Sequence, residues 1–397
     1  MSELCYYCFQ QKPELAPCPH CGYVEGMLKN KYPLALPEGS ILSGRYIVGR
    51  VLGQGGFGIT YVAQDWQTKK LVAIKEYFPD STATRSGSCM VSTFSGERGE
   101  LFEYGKDRFA DEAKAISRFI NHPNIVTIYS FFEENNTAYY SMEYIQGENL
   151  LDYLHRRGKR ISFGDARRIL YPIMDALTAV HSVGLIHRDI SPDNIFITKN
   201  NVSKLLDFGA ARYSLGNKSN SLDVILKHGY APKEQYTRHG LQGPYTDVYS
   251  LAATFYRAIT GQTPQDSVER LDRDNLIPPE KLCRDIPHIA SVALMQALAV
   301  YPKDRFQTME AFKAAMPPMP VIRNNLLSRK NIALSNQNNT PIVQNNVPNQ
   351  IQNVGDYTPS PLSDDQLIIP KWALGLIIGG TALMFLVLVI VLIISLS

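Results

Sequence analysis

The sequence of 397 residues has little net charge, few cysteines beyond its first 21 positions and no run of like charges. A formal charge of +3 is too small to draw the chain to nucleic acid or to an anionic membrane surface, so neither is expected as a charge-driven partner. A basic N-terminal region followed by an apolar stretch is also missing. No secretory signal is therefore read, and the N-terminal part is expected in a reducing, cytosolic compartment. The absence of any repeat at solenoid or propeller periods excludes array architectures. What remains, at 45% apolar and 19% charged residues, fits a globular body with a sizeable core plus appendages.

In one place charge is absent altogether. From Trp372 to Leu396 the chain reads "WALGLIIGGTALMFLVLVIVLIISL", about 25 residues without a charged side chain or a polar face. That length crosses a hydrocarbon core of about 30 Å as a helix, so a single transmembrane span is expected over 372–396. Lys371 on its near side favours a cytosolic body at the cell membrane, and the few residues after it leave no room for an external sensor. Residues 317–370, which begin "PPMP", are rich in Asn, Gln and Pro and poor in aromatics. Such a composition buries too little apolar surface to fold, so a flexible tether spanning on the order of 40 Å is expected.

The cysteines that are present have a pattern. Cys5, Cys8, Cys18 and Cys21 form CxxC–x9–CxxC, which suits tetrahedral thiolate ligation of Zn2+, and Gly22 after the second pair permits a tight turn. Residues 1–28 therefore read as a zinc-ribbon-like module folded largely by its metal, joined through a linker at 29–44 to the body at 45–316. A redox switch or disulfides are the alternatives.

Within the body, "RYIVGRVL", "ITYVAQDW", "LVAIKEYF" and "TAYYSMEYI" carry strand signals. Beyond residue 150, "SFGDARRILYPIMDALTAVHSVG" and "TDVYSLAATFYRAITG" have helical spacing, polar starts and terminal glycines. A strand-rich lobe followed by a helix-rich lobe is a two-lobed α+β fold. The glycines at 53, 55 and 58 lie between two strand signals, where backbone N–H groups approach phosphates unhindered by Cβ atoms. Lys75 ends an apolar strand, and Glu112, bordering the apolar stripe of "RFADEAKAISRFI", is a candidate partner with Asp111 as competitor. "HRDISPDN" then places Asp189 and Asn194 on one loop, and "LLDFGAAR" brings Asp207. Asn194 and Asp207 are oxygen donors suited to Mg2+, which leaves Asp189 to accept a proton.

These motifs in this order resemble the eukaryotic-type serine/threonine protein kinase domain, over about residues 45–316, and look closest to its bacterial members. The resemblance implies transfer of the ATP γ-phosphoryl group to serine or threonine hydroxyls of protein substrates. It implies that Leu52, Gly53, Gln54, Gly55, Gly56, Phe57 and Gly58 cover the nucleotide, with Thr60 where the family usually has valine. Lys75 would contact phosphates and be held by Glu112; Asp189 would be the base; Asn194 and Asp207 would hold Mg2+ or Mn2+. Ala73 and Phe196 would sandwich the adenine, Met142 would be the gatekeeper, and the backbone of Glu143 and Ile145 would bond the base. Glu234 is expected to pair with Arg305, and Asp247 to brace the catalytic loop.

The pattern departs in telling places. The stretch 76–106 is longer than the family's usual connection, so either a regulatory or docking insertion or an inert surface loop is expected. Ser191 replaces the catalytic-loop lysine, and Lys227 stands where the family has a threonine. The expectation is an exchange: Lys227 supplies the ammonium from the opposite side and Ser191 the hydroxyl. The alternatives are a solvated Lys227 and, for the whole chain, a nucleotide-binding pseudokinase scaffold that recruits partners through its zinc ribbon. Arg188 implies pairing with a phosphorylated residue, for which Ser214, Ser219 and Ser221 are candidates, with self-association for autophosphorylation. A structural Arg188 bonded to neighbouring carbonyls is the other reading.

Overall fold

β-Branched and aromatic runs make the first half of the body a sheet. The computed structural model describes residues 2–13, 17–24, 26–27, 31–86, 89–207, 226–237 and 240–319. The expected transmembrane span, the tether beyond 319 and the candidates Ser214, Ser219 and Ser221 lie outside the described residues. Among the described residues no helix is long and apolar enough to cross a membrane.

The chain starts with a short antiparallel ribbon of β1 (Ser2–Leu4) and β2 (Gln11–Pro13). Then come β3 (Ile41–Leu42), β4 (Tyr46–Gly55), β5 (Gly58–Asp65) and β6 (Leu71–Tyr77). A second ribbon, β7 (Ala83–Thr84) and β8 (Ser92–Thr93), precedes α1 (Glu97–Ile116), β9 (Ile128–Glu134) and β10 (Thr137–Glu143). The main antiparallel sheet has the order β3-β4-β5-β6-β10-β9, with α1 packed on β9 and β10. Its register sets Lys75 opposite Thr60 and Ala73 opposite Met142, so the expected nucleotide residues share neighbouring strands.

The second lobe begins with β11 (Gly147–Asn149), α2 (Leu150–Arg156) and α3 (Phe163–Ser182). The hairpin of β12 (Ile195–Thr198) and β13 (Ser203–Leu205) follows, paired to β11. Next come α4 (Pro244–Thr260), α5 (Glu269–Asp272), α6 (Pro279–Leu282), α7 (His288–Ala297) and α8 (Met309–Ala315). Ser162 caps α3 by accepting the Asp165 N–H at 3.1 Å. Helix α4 starts two residues before the Thr-Asp pair, with Pro244 at its first position, where proline's missing N–H costs nothing. It stops at Gly261, whose φ of 77° is the left-handed cap conformation. Every residue from Thr246 to Thr260 is buried, so α4 is the central pillar of this lobe, against α3, α7 and α8.

Two stretches are more ordered than their sequence suggests. The expected linker contributes β3, buries Leu36 and Leu42, and donates the Leu36 N–H to Tyr61 Oη at 3.0 Å. The long connection after β6 is tied down by Arg85, which pairs with the fully buried Glu76 carboxylate and donates its Nε to the Cys89 carbonyl at 3.1 Å. Tyr61 and Tyr139 hydroxyls donate to the same Glu76 carboxylate, each at 2.7 Å. Part of the connection is simply helix: α1 begins at Glu97, well ahead of its apolar stripe. This stretch is thus anchored to the sheet by a buried ion pair.

A buried carboxylate left without its counter-charge is costly, typically about 3–5 kcal/mol. Arg85→Met is therefore expected to lose about that much stability in urea unfolding. The double variant Arg85→Met/Glu76→Gln is expected to lose less than Arg85→Met alone, because no uncompensated charge stays buried.

Candidate active site

The site is organised from α4. Asp247, in its first turn and fully buried, accepts the His187 N–H on Oδ2 and the Arg188 N–H on Oδ1, each at 2.8 Å. Its Oδ2 also lies 2.7 Å from His181 Nε2 of α3. These bonds clamp Arg188 at a φ of 67°, a left-handed conformation costing a bulky residue roughly 1–2 kcal/mol. Gln235 adds a bond to the Arg188 carbonyl at 2.8 Å. His187 donates Nε2–H to the Leu206 carbonyl at 2.8 Å and accepts the Asp189 N–H on Nδ1 at 3.2 Å. That pattern requires a neutral ring, and burial lowers the His187 pKa despite the nearby Asp247.

The loop so held presents Asp189 and Asn194. The Asn194 side-chain amide donates to the Asp189 carbonyl at 2.7 Å and to its Oδ2 at 3.0 Å. The Leu206 N–H donates to the Asn194 carbonyl at 2.9 Å, bringing Asp207 beside the loop. Across the cleft, Lys75 Nζ meets Asp207 Oδ1 at 2.6 Å and sits 5.8 Å from the centre of the Tyr140 ring. Desolvation disfavours the Lys75 charge, but the fields of Asp207, Tyr140 and Glu112 outweigh it and raise its pKa well above the usual value. Desolvation likewise opposes the Asp207 charge, yet Lys75 holds that carboxyl below the ordinary range. Glu112 is buried on the inner face of α1, whereas Asp111 is exposed and paired with Arg108 at 3.0 Å. Geometry thus places Glu112, not Asp111, on the site.

Above these groups lies the β4–β5 hairpin. A Cβ at Gly53 or Gly55 would meet nothing within 4 Å, so the backbone at these two glycines borders open space. Gly58 differs: a Cβ there would lie 2.1 Å from the Glu76 carbonyl, so packing alone demands glycine. The Phe78 N–H donates to the Phe57 carbonyl at 3.1 Å and ties the hairpin tip down. Ala73 and Met142 are buried, while Leu52 is exposed and Thr60, Phe196 and Ile145 are partly exposed. The Glu143 N–H already donates to the Thr127 carbonyl at 2.9 Å, so only its carbonyl is left for a base.

The two exchanged residues meet. Lys227 Nζ donates to Ser191 Oγ at 2.7 Å and lies 4.0 Å from Asp189 Oδ1. A further carboxylate, Asp193, lies 3.3 Å from Lys227 Nζ; the residues alone do not point to it, because its partner is 34 positions away. Downstream, Arg305 grips Glu234 through both terminal nitrogens at 2.7 and 3.0 Å, and Thr246 donates to Glu234 at 3.0 Å. Tyr140, beneath Lys75, was also missed: on the sequence it is one aromatic in a strand.

A protein kinase domain profile matches residues 46–313. The chain belongs to the protein kinase family. It is 30% identical over 286 residues to the serine/threonine-protein kinase PknA of Nostoc sp., covering 70% of this chain and 47% of that one. It is 32% identical over 287 residues to PknB of Mycolicibacterium smegmatis, covering 69% and 42% respectively. A solved chain described as "PpkA-294 apo form" is similar over its full length and 72% of this one, with 36% identity and a TM-score of 0.65. The chain spans less than half the length of the curated relatives it matches.

The kinase match starts at residue 46, so the cysteine module lies outside it. Its four Sγ atoms lie within 4.8 Å of one another. The two CxxC loops are near copies. Phe9 N–H donates to the Cys5 carbonyl and Gly22 N–H to the Cys18 carbonyl, both at 2.7 Å. Both Phe9 and Gly22 are left-handed, with φ of 58° and 72°. Burial works against a thiolate at Cys18, but the backbone N–H groups of His20 and Cys21 overcome it and lower the pKa. A compact set of four cysteine sulfurs fits a tetrahedral soft cation, which binds them as thiolates.

The buried neutral His187 generates a pH dependence. Its folded pKa lies below the unfolded value of about 6.5, so the unfolded chain binds the extra proton and kinase-fold stability falls as pH drops below about 6.5. In His187→Phe, unfolding free energy measured from pH 7.5 to 5 should be lower throughout but flatter than in the parent. Parallel profiles would show that this ring does not titrate differently on folding.

Proposed function

We propose that the chain is an active, membrane-tethered serine/threonine kinase that transfers the ATP γ-phosphoryl group to hydroxyls of protein substrates. The observation that carries this reading is the convergence of Lys75, Asp189, Asn194, Asp207 and Lys227 on one cleft below an open glycine hairpin. Asp189 takes the proton of the substrate hydroxyl as its oxygen bonds the γ-phosphorus and the bond to the leaving ADP breaks. Lys75 holds the nucleotide phosphates, with Glu112 and Asp207 keeping its charge. Asn194 and Asp207 would hold Mg2+ or Mn2+, which when bound neutralises phosphate charge; their hard oxygens fit it, since the Asn194 amide nitrogen faces Asp189 and leaves its oxygen for a cation.

Lys227 supplies the positive charge that the catalytic loop lacks at position 191. Its ammonium lies near Asp189 and is oriented by Ser191 and Asp193, so one cation beside the transferring phosphoryl is preserved. Ser191, the one departure that favoured a scaffold, thereby becomes part of a working site. Support for Zn2+ at Cys5, Cys8, Cys18 and Cys21 is the twin-knuckle geometry, and support for anchoring is the uncharged run 372–396.

Incubation with labelled ATP and Mg2+ tests the reading. Asp189→Asn should lower kcat by about 10²–10⁴-fold while leaving nucleotide affinity nearly intact. An inert parent protein would return the chain to a nucleotide-binding scaffold. Lys227→Ala should lower kcat by about 10²-fold with a much smaller rise in ATP KM. An unchanged kcat would remove Lys227 from the reaction.

A further inference from the structure

The cysteine module is built onto the nucleotide lobe, against the strand that leads into the glycine hairpin. The main sheet ends in β3, only two residues long, so most of the outer edge of β4 has no neighbouring strand. Beyond β3, Gly39 and Ser40 bond Val48, and at Arg50 the first CxxC loop takes over. The Arg50 N–H of β4 donates to the Tyr6 carbonyl, between Cys5 and Cys8, at 3.1 Å. At the same point the β4–β5 pairing is irregular between Val48 and Val51. An exposed strand edge is thus satisfied by a peptide of the metal knuckle.

Side chains tighten the contact. Phe9 is buried against Gly49, where a Cβ would lie 2.3 Å from the Tyr6 carbonyl and 2.6 Å from the Phe9 ring. Gly39 gives the same clearance to Tyr6, whose ring atom Cζ would be 2.8 Å from a Cβ there. This accounts for an oddity of the knuckle pair. At the turn where the second loop uses Gly22, the first uses Phe9 in the same left-handed conformation. An isolated metal knuckle has no use for a phenylalanine in that conformation; a docked one does, because the ring fills the notch at Gly49.

From this interface one side chain runs to the hinge, the segment 144–146 that joins β10 to β11. The Arg50 guanidinium stacks on Tyr7 at 4.7 Å and donates through Nη2 to Tyr144 Oη at 3.4 Å. Tyr7 stacks in turn on Tyr23, which follows the second CxxC loop, at 5.1 Å. Tyr144 lies between Glu143 and Ile145, the residues expected to bond the adenine, and Arg50 is three residues before Gly53. The strand that leads into the glycine hairpin therefore touches the cysteine module directly, and Tyr144 is joined to it through Arg50.

We propose that metal occupancy of the four-thiolate site is coupled to nucleotide binding, with Arg50 as the positioning residue between them. The proposal rests on reading the four cysteines as a zinc site. Metal fixes the position of Tyr6, Tyr7 and Phe9; these fix Gly49, Arg50 and the start of the hairpin; Arg50 fixes the hinge tyrosine. Without metal the knuckle has almost no core of its own and the edge of β4 loses its partner. By linkage the effect is reciprocal: nucleotide binding must tighten metal binding by the same factor.

The test uses the full chain in detergent. Zinc content is measured first, by elemental analysis and by competition with a chromophoric chelator. A chain that binds no zinc refutes the zinc reading itself. Where zinc binds, its affinity is measured with and without saturating ADP and Mg2+, and the affinity for a fluorescent ADP analogue is measured with zinc bound and stripped. Both ratios should agree and reach at least about 5-fold. Bound zinc with both ratios near one overturns the coupling while leaving the zinc site standing. Arg50→Ala should keep zinc at one per chain but bring the ratios close to one. Coupling that survives Arg50→Ala undiminished overturns the assigned route, including the case in which stripping simply unfolds the lobe.

Discussion

The carboxylate of Asp247 holds the loop that carries Asp189 and Asn194 in place. Buried at the start of the central helix, it takes the backbone N–H groups of His187 and Arg188 and the ring of His181. A polar group buried in that position is tolerated because several donors converge on it, and it is useful because two of those donors belong to the loop of Asp189 and Asn194. Arg188 can then stay left-handed, Asp189 and Asn194 face the cleft, and His187 reaches Leu206 to fix the strand end that delivers Asp207. Lys75, on the other lobe, meets Asp207 at the end of this chain of contacts.

A second constraint governs the nucleotide lobe: buried charge must be matched, and strand edges must be covered. Glu76 and Arg85 meet the first requirement inside the sheet, which turns a long connection into a structural ribbon. The cysteine module meets the second at the edge of β4. Both draw on segments that look peripheral in the sequence. The cleft's lobe thus carries a ribbon within the matched kinase region and a module that lies outside it.

Lys227 and Ser191, whose residue types stand exchanged relative to the family pattern, meet across two loops at 2.7 Å. A lysine side chain is long enough to reach from either of two loops, and the phosphoryl group responds to the field, not to the loop that provides it. Asp193 and Ser191 lie 3.3 and 2.7 Å from the Lys227 ammonium. Such swaps depend on two loops lying within one side-chain length, a property of the fold.

The order of motifs, the two-lobed α+β class, the helix ends at Ser162 and Gly261 and the pairing of Glu234 with Arg305 were legible in the residues, because local patterning and family spacing specify them. The choice of Glu112 over Asp111 was less so, since adjacent helix positions differ by only about 100° and burial had to decide between them. The roles of Tyr140, Asp193 and Arg50 were illegible: each depends on partners 30 to more than 90 positions away, as with Arg50 and Tyr144 at a separation of 94. Chemistry-bearing residue types and their spacing reside in the chain itself. Which of them touch, and that the cysteine module is docked on the nucleotide lobe, depends on long-range packing, which no local pattern encodes.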